Sequence, residues 1–176
     1  MGHTDGGVIF VGGAPRSGTT VVHAMICTST RVNGFVPESS FLTHYFRGLV
    51  AGLWRFDNHT SGFFTDRADF GAFARGIVAQ VLDRVRENLG NPEILALKDP
   101  WMTPLFGLLS SYYPGFKFVV TVRHPLDVYR SRREVQRLAG APWPPSPAAV
   151  RVLAEEYVNS YPVCEEIGRA SCRERV

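Results

Sequence analysis

Val8-Ile9-Phe10-Val11 runs straight into Gly12-Gly13-Ala14-Pro15-Arg16-Ser17-Gly18-Thr19-Thr20, and that into Val21-Val22-His23-Ala24-Met25-Ile26. A short apolar run, a glycine-rich turn and renewed apolar spacing spell a buried strand, a tight turn and the first turns of a helix. Few folds accommodate that order. Such a turn aims several backbone N–H groups, together with the positive end of the helix dipole, at one point, and a phosphate fits there. A glycine-rich turn with no ligand has the same local pattern, so function needs a second feature.

The rest of the chain repeats the alternation. The first helix is expected from Thr19 to about Ser29, with Val22, Met25 and Ile26 as its apolar face. Val32 to Val36 reads as a second strand or an extended segment, and a helix carrying Phe41, Leu42, Tyr45, Phe46, Leu49, Leu53 and Trp54 starts after Pro37-Glu38-Ser39-Ser40. Asp57 to Gly62 is a polar turn. Asp66 to Leu89 has helical periodicity through Phe70, Phe73, Ile77, Val81, Leu82, Val85 and Leu89, and Gly90-Asn91-Pro92 stops it. Ile94 to Leu97 is a compact apolar run, hence a buried parallel strand delivering Lys98-Asp99-Pro100. A helix is expected over Trp101 to Tyr113, a strand over Phe116 to Val122 that delivers Arg123, and a helix from Pro125 to about Leu138. After a proline-rich loop, Ser146-Pro147 opens a last helix through Tyr157.

Strands alternating with helices imply an α/β fold, a parallel sheet with helices on both faces in three layers. Ligands of such sheets sit at the C-terminal ends of the strands. Here the glycine turn, Lys98-Asp99 and Arg123 all fall there.

At 176 residues the chain suffices for one domain with a proper core. Charge needs a correction before it is read. Ile167-Gly168-Arg169-Ala170-Ser171-Cys172-Arg173-Glu174-Arg175-Val176 continues the preceding helix poorly and matches, codon by codon, the translation of a common sequencing adapter. Residues 1–166 are therefore expected to be the domain and 167–176 a non-native tail. The tail's three Arg and one Glu account for two units of the net charge of +3. What remains gives no support for a nucleic-acid or membrane partner. No apolar run is long enough to span a membrane. The start has neither a basic segment nor a signal-type core, so a cytoplasmic protein is expected. Cys27, Cys164 and Cys172 have no metal spacing, and no metal is expected.

The loop's spacing resembles a Walker A loop, with Gly13 and Gly18 at the glycine positions. The lysine that reaches the β/γ-phosphates in nucleoside-triphosphate enzymes is replaced by Thr19, and the loop's only cation is Arg16. A P-loop kinase stays open as an alternative on this spacing, as does a non-catalytic nucleotide-binding module on the same fold. Without the lysine the loop suits a nucleotide whose 5′-phosphate carries something other than a phosphate chain.

Pro15-Arg16-Ser17-Gly18-Thr19-Thr20 resembles the 5′-phosphosulfate loop of sulfotransferases that use 3′-phosphoadenosine 5′-phosphosulfate (PAPS). Val119-Val120-Thr121-Val122-Arg123-His124-Pro125 with Ser131 resembles their 3′-phosphate strand and helix. A guanidinium fork and a hydroxyl can converge on one phosphate in that arrangement. An Arg123–Asp127 ion pair with Ser131 as filler is the plain alternative. Glu38 and Lys98-Asp99-Pro100 look closer to tyrosylprotein sulfotransferases and their bacterial relatives.

The resemblance covers essentially Gly7 to Ser131, and the roles that follow are what it implies. Arg16 and the backbone of Ser17, Gly18, Thr19 and Thr20 hold the 5′-phosphosulfate, and Arg123 and Ser131 hold the 3′-phosphate. Glu38 is the general base, and Lys98, with Arg16, stabilises charge on the transferring group. The acceptor is a hydroxyl on a small molecule, glycan or peptide. The parent chain is expected to be longer, its C-terminal part adding nucleotide contacts and much of the acceptor pocket. Against these roles stand a helix-dipole charge at Glu38 and a Lys98–Asp99 ion pair.

Overall fold

The computed structural model describes residues 7–140 and 146–161. The tail at 167–176, Cys164 and Trp143 lie outside them. Three apolar runs become the strands β1 (Gly7–Gly13), β2 (Ile94–Lys98) and β3 (Phe116–Thr121). They form one parallel sheet in the order β2-β1-β3, with Val8 opposite both Leu95 and Phe116. Helices flank the sheet: α1 (Thr19–Ile26), α2 (Ser40–Trp54), α3 (Arg67–Asn88), α4 (Phe106–Tyr112), α5 (Pro125–Leu138) and α6 (Pro147–Asn159). The expected α/β fold with a parallel sheet is what forms.

The period of two along the strands sorts side chains between faces. Val8, Phe10, Leu95, Leu97, Phe116 and Phe118 join Leu42, Phe46, Leu49 and Leu53 of α2, Val78 and Leu82 of α3, and Phe106 and Leu109 of α4 in one core. Phe10 anchors it, with Phe46, Phe116 and Phe118 around its ring. Residues of the opposite parity, such as Ala96 and Thr121, face the α1 side, where the imidazole of His23 bonds Ala96 O at 3.1 Å.

Local chemistry fixes several boundaries. Asp66 accepts the Asp69 N–H as the N-cap of α3. His124 Nδ1 accepts the Leu126 N–H ahead of Pro125, which opens α5 where its missing N–H is harmless. Ser146 caps α6 ahead of Pro147 in the same way.

Four expectations need correcting. Trp101 to Tyr113 is not one α-helix: Pro100–Leu105 is a 3-10 segment and α4 starts only at Phe106, because Pro104 has no N–H to give an α-helical ladder. Of the two readings of Val32 to Val36, strand or extended segment, the strand does not form. Val32 makes one isolated bridge to Ile94, and Asn33 then replaces backbone pairing with its side chain, which holds both Ala96 N and Ala96 O. The buried face of α1 is Thr19 and His23; Met25 is 67% exposed. Of the expected face of α3, Leu82 is buried and Phe70, Val81, Val85 and Leu89 pack against the core, but Phe73 is exposed and Gly71, Ala74 and Val78 complete the buried face. Small residues bring that helix close, since a Cβ at Gly71 would stand 3.2 Å from the Tyr112 ring. No helix among the described residues is long and apolar enough to cross a membrane.

Candidate active site

The glycine-rich loop is shaped by groups far away in sequence. Gly13 adopts φ 134°, and a Cβ there would meet Thr121 O at 2.4 Å, so only glycine lets β3 come this close. Thr103 Oγ1, delivered by the 3-10 segment, accepts the Gly13 N–H at 2.7 Å and donates to Pro100 O. Thr121 Oγ1 donates to Gly12 O, so Ser17 Oγ is the donor in the 2.6 Å bond between the two hydroxyls. Gly18, at φ 105°, then turns the chain into α1.

Arg16 is exposed and held at φ 74°, a left-handed conformation rare for a side-chain-bearing residue. Its Nε donates to Ser131 Oγ at 3.2 Å, and its carbonyl accepts from Arg123 Nη1 at 3.3 Å. The loop and the β3–α5 motif therefore meet directly. Asp127 pairs with Arg130, not with Arg123.

Lys98 ends β2 and is 4% exposed. Its Nζ donates to Thr20 Oγ1 and to Glu38 Oε1, both at 3.0 Å. Glu38 is brought there by Ser39, whose N–H and hydroxyl both bond Lys98 O. The alternative Lys98–Asp99 ion pair does not form. Asp99 is buried, accepts from Thr43 Oγ1 and caps the 3-10 segment through Trp101 N.

Arg16, Gly18, Thr19, Thr20, Glu38, Arg123 and Ser131 all line one cavity of about 290 Å³, with Pro100 and Trp101 as its apolar wall. Lys98 reaches that cavity through its partners. Ser17, like Lys98, is not among the lining residues, being buried against Thr121. Three cations, Arg16, Lys98 and Arg123, stand against the single carboxylate of Glu38, so the site favours an anion.

Two tyrosines of the last helix and its end went unread in the sequence. Tyr161 Oη accepts the Ala14 N–H at 3.4 Å and donates to Thr121 O at 3.2 Å; Tyr157 Oη donates to Arg123 O at 2.9 Å. Burial holds the Tyr161 phenol above its ordinary range, against the lowering effect of the bond from Ala14 N. Nothing in a helical sequence marks such a hydroxyl as a latch. Thr121 did carry a signal, as the polar residue that follows the apolar run Phe118-Val119-Val120. Between α1 and the sheet, burial pushes the His23 imidazole below its usual value. Among the described residues, no group of three or more His, Cys, Asp or Glu side chains could hold a metal ion.

A parallel sheet whose central strand feeds a glycine-rich loop at a helix start, facing convergent arginines, defines a phosphate-loop α/β protein. Residues 8–173 match the sulfotransferase family, and the chain belongs to it. The family's chemistry is sulfuryl transfer. No curated protein matches the chain.

Proposed function

We propose that this protein transfers a sulfuryl group from PAPS to a hydroxyl or phenol on a small molecule, glycan or peptide. The observation that carries the reading is Lys98, buried and bonded to both Thr20 of the loop and the carboxylate of Glu38. The donor set suits the nucleotide. Arg123 and Ser131 suit a 3′-phosphate; Arg16, with the loop N–H groups and the dipole of α1, suits a 5′-phosphate.

The bound donor supplies an activated sulfuryl group: the acceptor oxygen bonds its sulfur while the bond to the 5′-phosphate oxygen breaks, its electron pair leaving with the bisphosphate. Glu38 takes the acceptor proton on Oε2, which has no partner among the described residues. Lys98 has three N–H donors and uses two on Thr20 and Glu38, which leaves one for the sulfuryl oxygens. Arg16 offsets the charge that grows on the leaving phosphate oxygen. A sulfuryl group carries less charge than a phosphoryl group, so Arg16 and Lys98 are sufficient counter-charge without magnesium.

The test is the melting temperature of the chain with 3′-phosphoadenosine 5′-phosphate, beside ATP with magnesium. At a hundredfold excess over Kd a ligand adds about 2.7 kcal/mol, a rise of roughly 5–10 °C for a domain of this size. The bisphosphate should give that rise. Glu38→Gln should keep it and lose turnover. A rise with ATP and magnesium alone would transfer the case to a kinase, and normal turnover by Glu38→Gln would remove it as the base.

A further inference from the structure

The outward face of α1 is apolar. Val21 and Met25 are 64% and 67% exposed, and Phe35, from the stretch between α1 and α2, is 54% exposed. Val21, Ala24 and Met25 share one stripe of the helix by their spacing. With Thr20, Thr28 and Phe35 they line a groove of about 440 Å³, within the range of about 300–1,000 Å³ that small-molecule sites occupy. The buried His23 imidazole lies 5.2 Å from the Phe35 ring and backs it.

Two observations say what the groove receives. The first is where it leads. Thr20 and Val21 line this groove and the catalytic cavity alike. The Thr20 hydroxyl is joined to the Glu38 carboxylate through the two 3.0 Å bonds of Lys98 Nζ, and Glu38 follows Phe35 by three residues on the same stretch. An acceptor whose hydroxyl meets Glu38 therefore has the groove open to the rest of its body. The second is its chemistry. Among the described residues, none that lines the groove is charged, and its two hydroxyls are already bonded: Thr20 Oγ1 accepts from Lys98, and Thr28 Oγ1 donates to Met25 O at 2.7 Å. A sugar or a charged peptide would lose water here and meet neither a charge nor an unbonded hydroxyl. An apolar body would gain by its burial.

We propose that this groove is the acceptor subsite, and that the acceptor is an alcohol or phenol with an apolar body rather than a glycan or a charged peptide. Its hydroxyl lies at Glu38 and its body against Val21, Met25 and Phe35. The inference rests on the sulfuryl-transfer reading of the catalytic cavity. A charged acceptor has a different course, on the opposite wall: Pro100 and Trp101 also line a groove with Arg47, Glu155 and Glu156, and a cationic body would lie there.

Para-propylphenol and tyramine, which differ by a methyl group in place of an ammonium, separate the two courses. Calorimetric titration of each into the protein saturated with 3′-phosphoadenosine 5′-phosphate should show para-propylphenol binding about tenfold tighter or more. Met25→Glu, at an exposed position, should weaken para-propylphenol about tenfold or more and leave affinity for the bisphosphate unchanged; Met25→Leu should keep both. With PAPS, Met25→Glu should raise KM for para-propylphenol and hold kcat within a few-fold. Absence of para-propylphenol binding, tyramine as tight as para-propylphenol, or unchanged affinity in Met25→Glu would each overturn the inference and leave the sulfuryl-transfer reading standing. A bisphosphate that does not bind would overturn that reading, and the acceptor role with it. A dimer in sedimentation that Met25→Glu dissociates would assign the apolar face to a second copy of the chain and overturn the inference as well.

Discussion

Arg16→Gly separates the two things this residue does. At φ 74° an L-residue gives up about 1–2 kcal/mol to left-handed sterics, which glycine recovers. Glycine returns about 0.4–1 kcal/mol of that through the greater freedom of the unfolded chain. The exposed bond from Nε to Ser131 Oγ is also lost, at up to about 0.5–1.5 kcal/mol. The bond from Arg123 reaches the Arg16 carbonyl and survives the change. These terms cancel to within about 1.5 kcal/mol, so the urea midpoint should move little. Nucleotide binding has no such compensation. A charge-assisted hydrogen bond is worth about 1.5–3 kcal/mol, which is tenfold to about 150-fold in affinity. Urea unfolding gives the first quantity and calorimetry with 3′-phosphoadenosine 5′-phosphate the second. Unchanged affinity, or a stability loss above about 2 kcal/mol, would refute the reasoning, since Arg16 would then be a structural residue alone.

Lys98→Met keeps the buried stem, removes the ammonium and leaves the half-exposed Glu38 to water; turnover should fall about a hundredfold or more while bisphosphate affinity stays within a few-fold, and an equal loss in both would make Lys98 a binding residue only. Tyr161→Phe removes the hydroxyl between Ala14 N and Thr121 O, so urea unfolding should show a loss of about 1 kcal/mol, with weaker bisphosphate binding in calorimetry. His23 is neutral in the fold because burial lowers its pKa from 6.5. Below that pH the unfolded chain takes up a proton that the folded ring refuses, so stability should drop on acidification by at most about 1.4 kcal/mol per pH unit and level off beneath the lowered value. Urea midpoints from pH 7 to 5 should show this slope in the parent and lose it in His23→Gln.

The strands and the loop were legible because uninterrupted apolar runs and paired glycines leave little choice of conformation. The same holds for the start of α5, where Pro125 fits only a first helical turn. Arg16, Thr20, Glu38, Lys98, Arg123 and Ser131 could be named from the resemblance to sulfotransferase motifs, and the structure brings them around one cavity or into bonds with its lining. What spacing could not show was the partner of each polar group. Thr103, Tyr157 and Tyr161 look like ordinary helix residues until the fold sets them beside the loop. The buried face of α1, and part of that of α3, differ from the periodic pattern for a related reason: periodicity ranks side chains by hydrophobicity, whereas close packing selected His23, Gly71 and Ala74.

The phosphate loop is made before the groups that its shape depends on. Gly13 N waits for Thr103 Oγ1, which is 90 residues on, and Gly12 O for Thr121 Oγ1, which is 109 on. Its central strand likewise stays unpaired until Ile94 and Phe116 have been added. During synthesis, then, β1 is an unmatched apolar segment until those partners arrive, the kind of species that invites misassembly. Closing such long loops also slows folding. The loop takes its shape late in the life of the chain, not before Thr121 has found it.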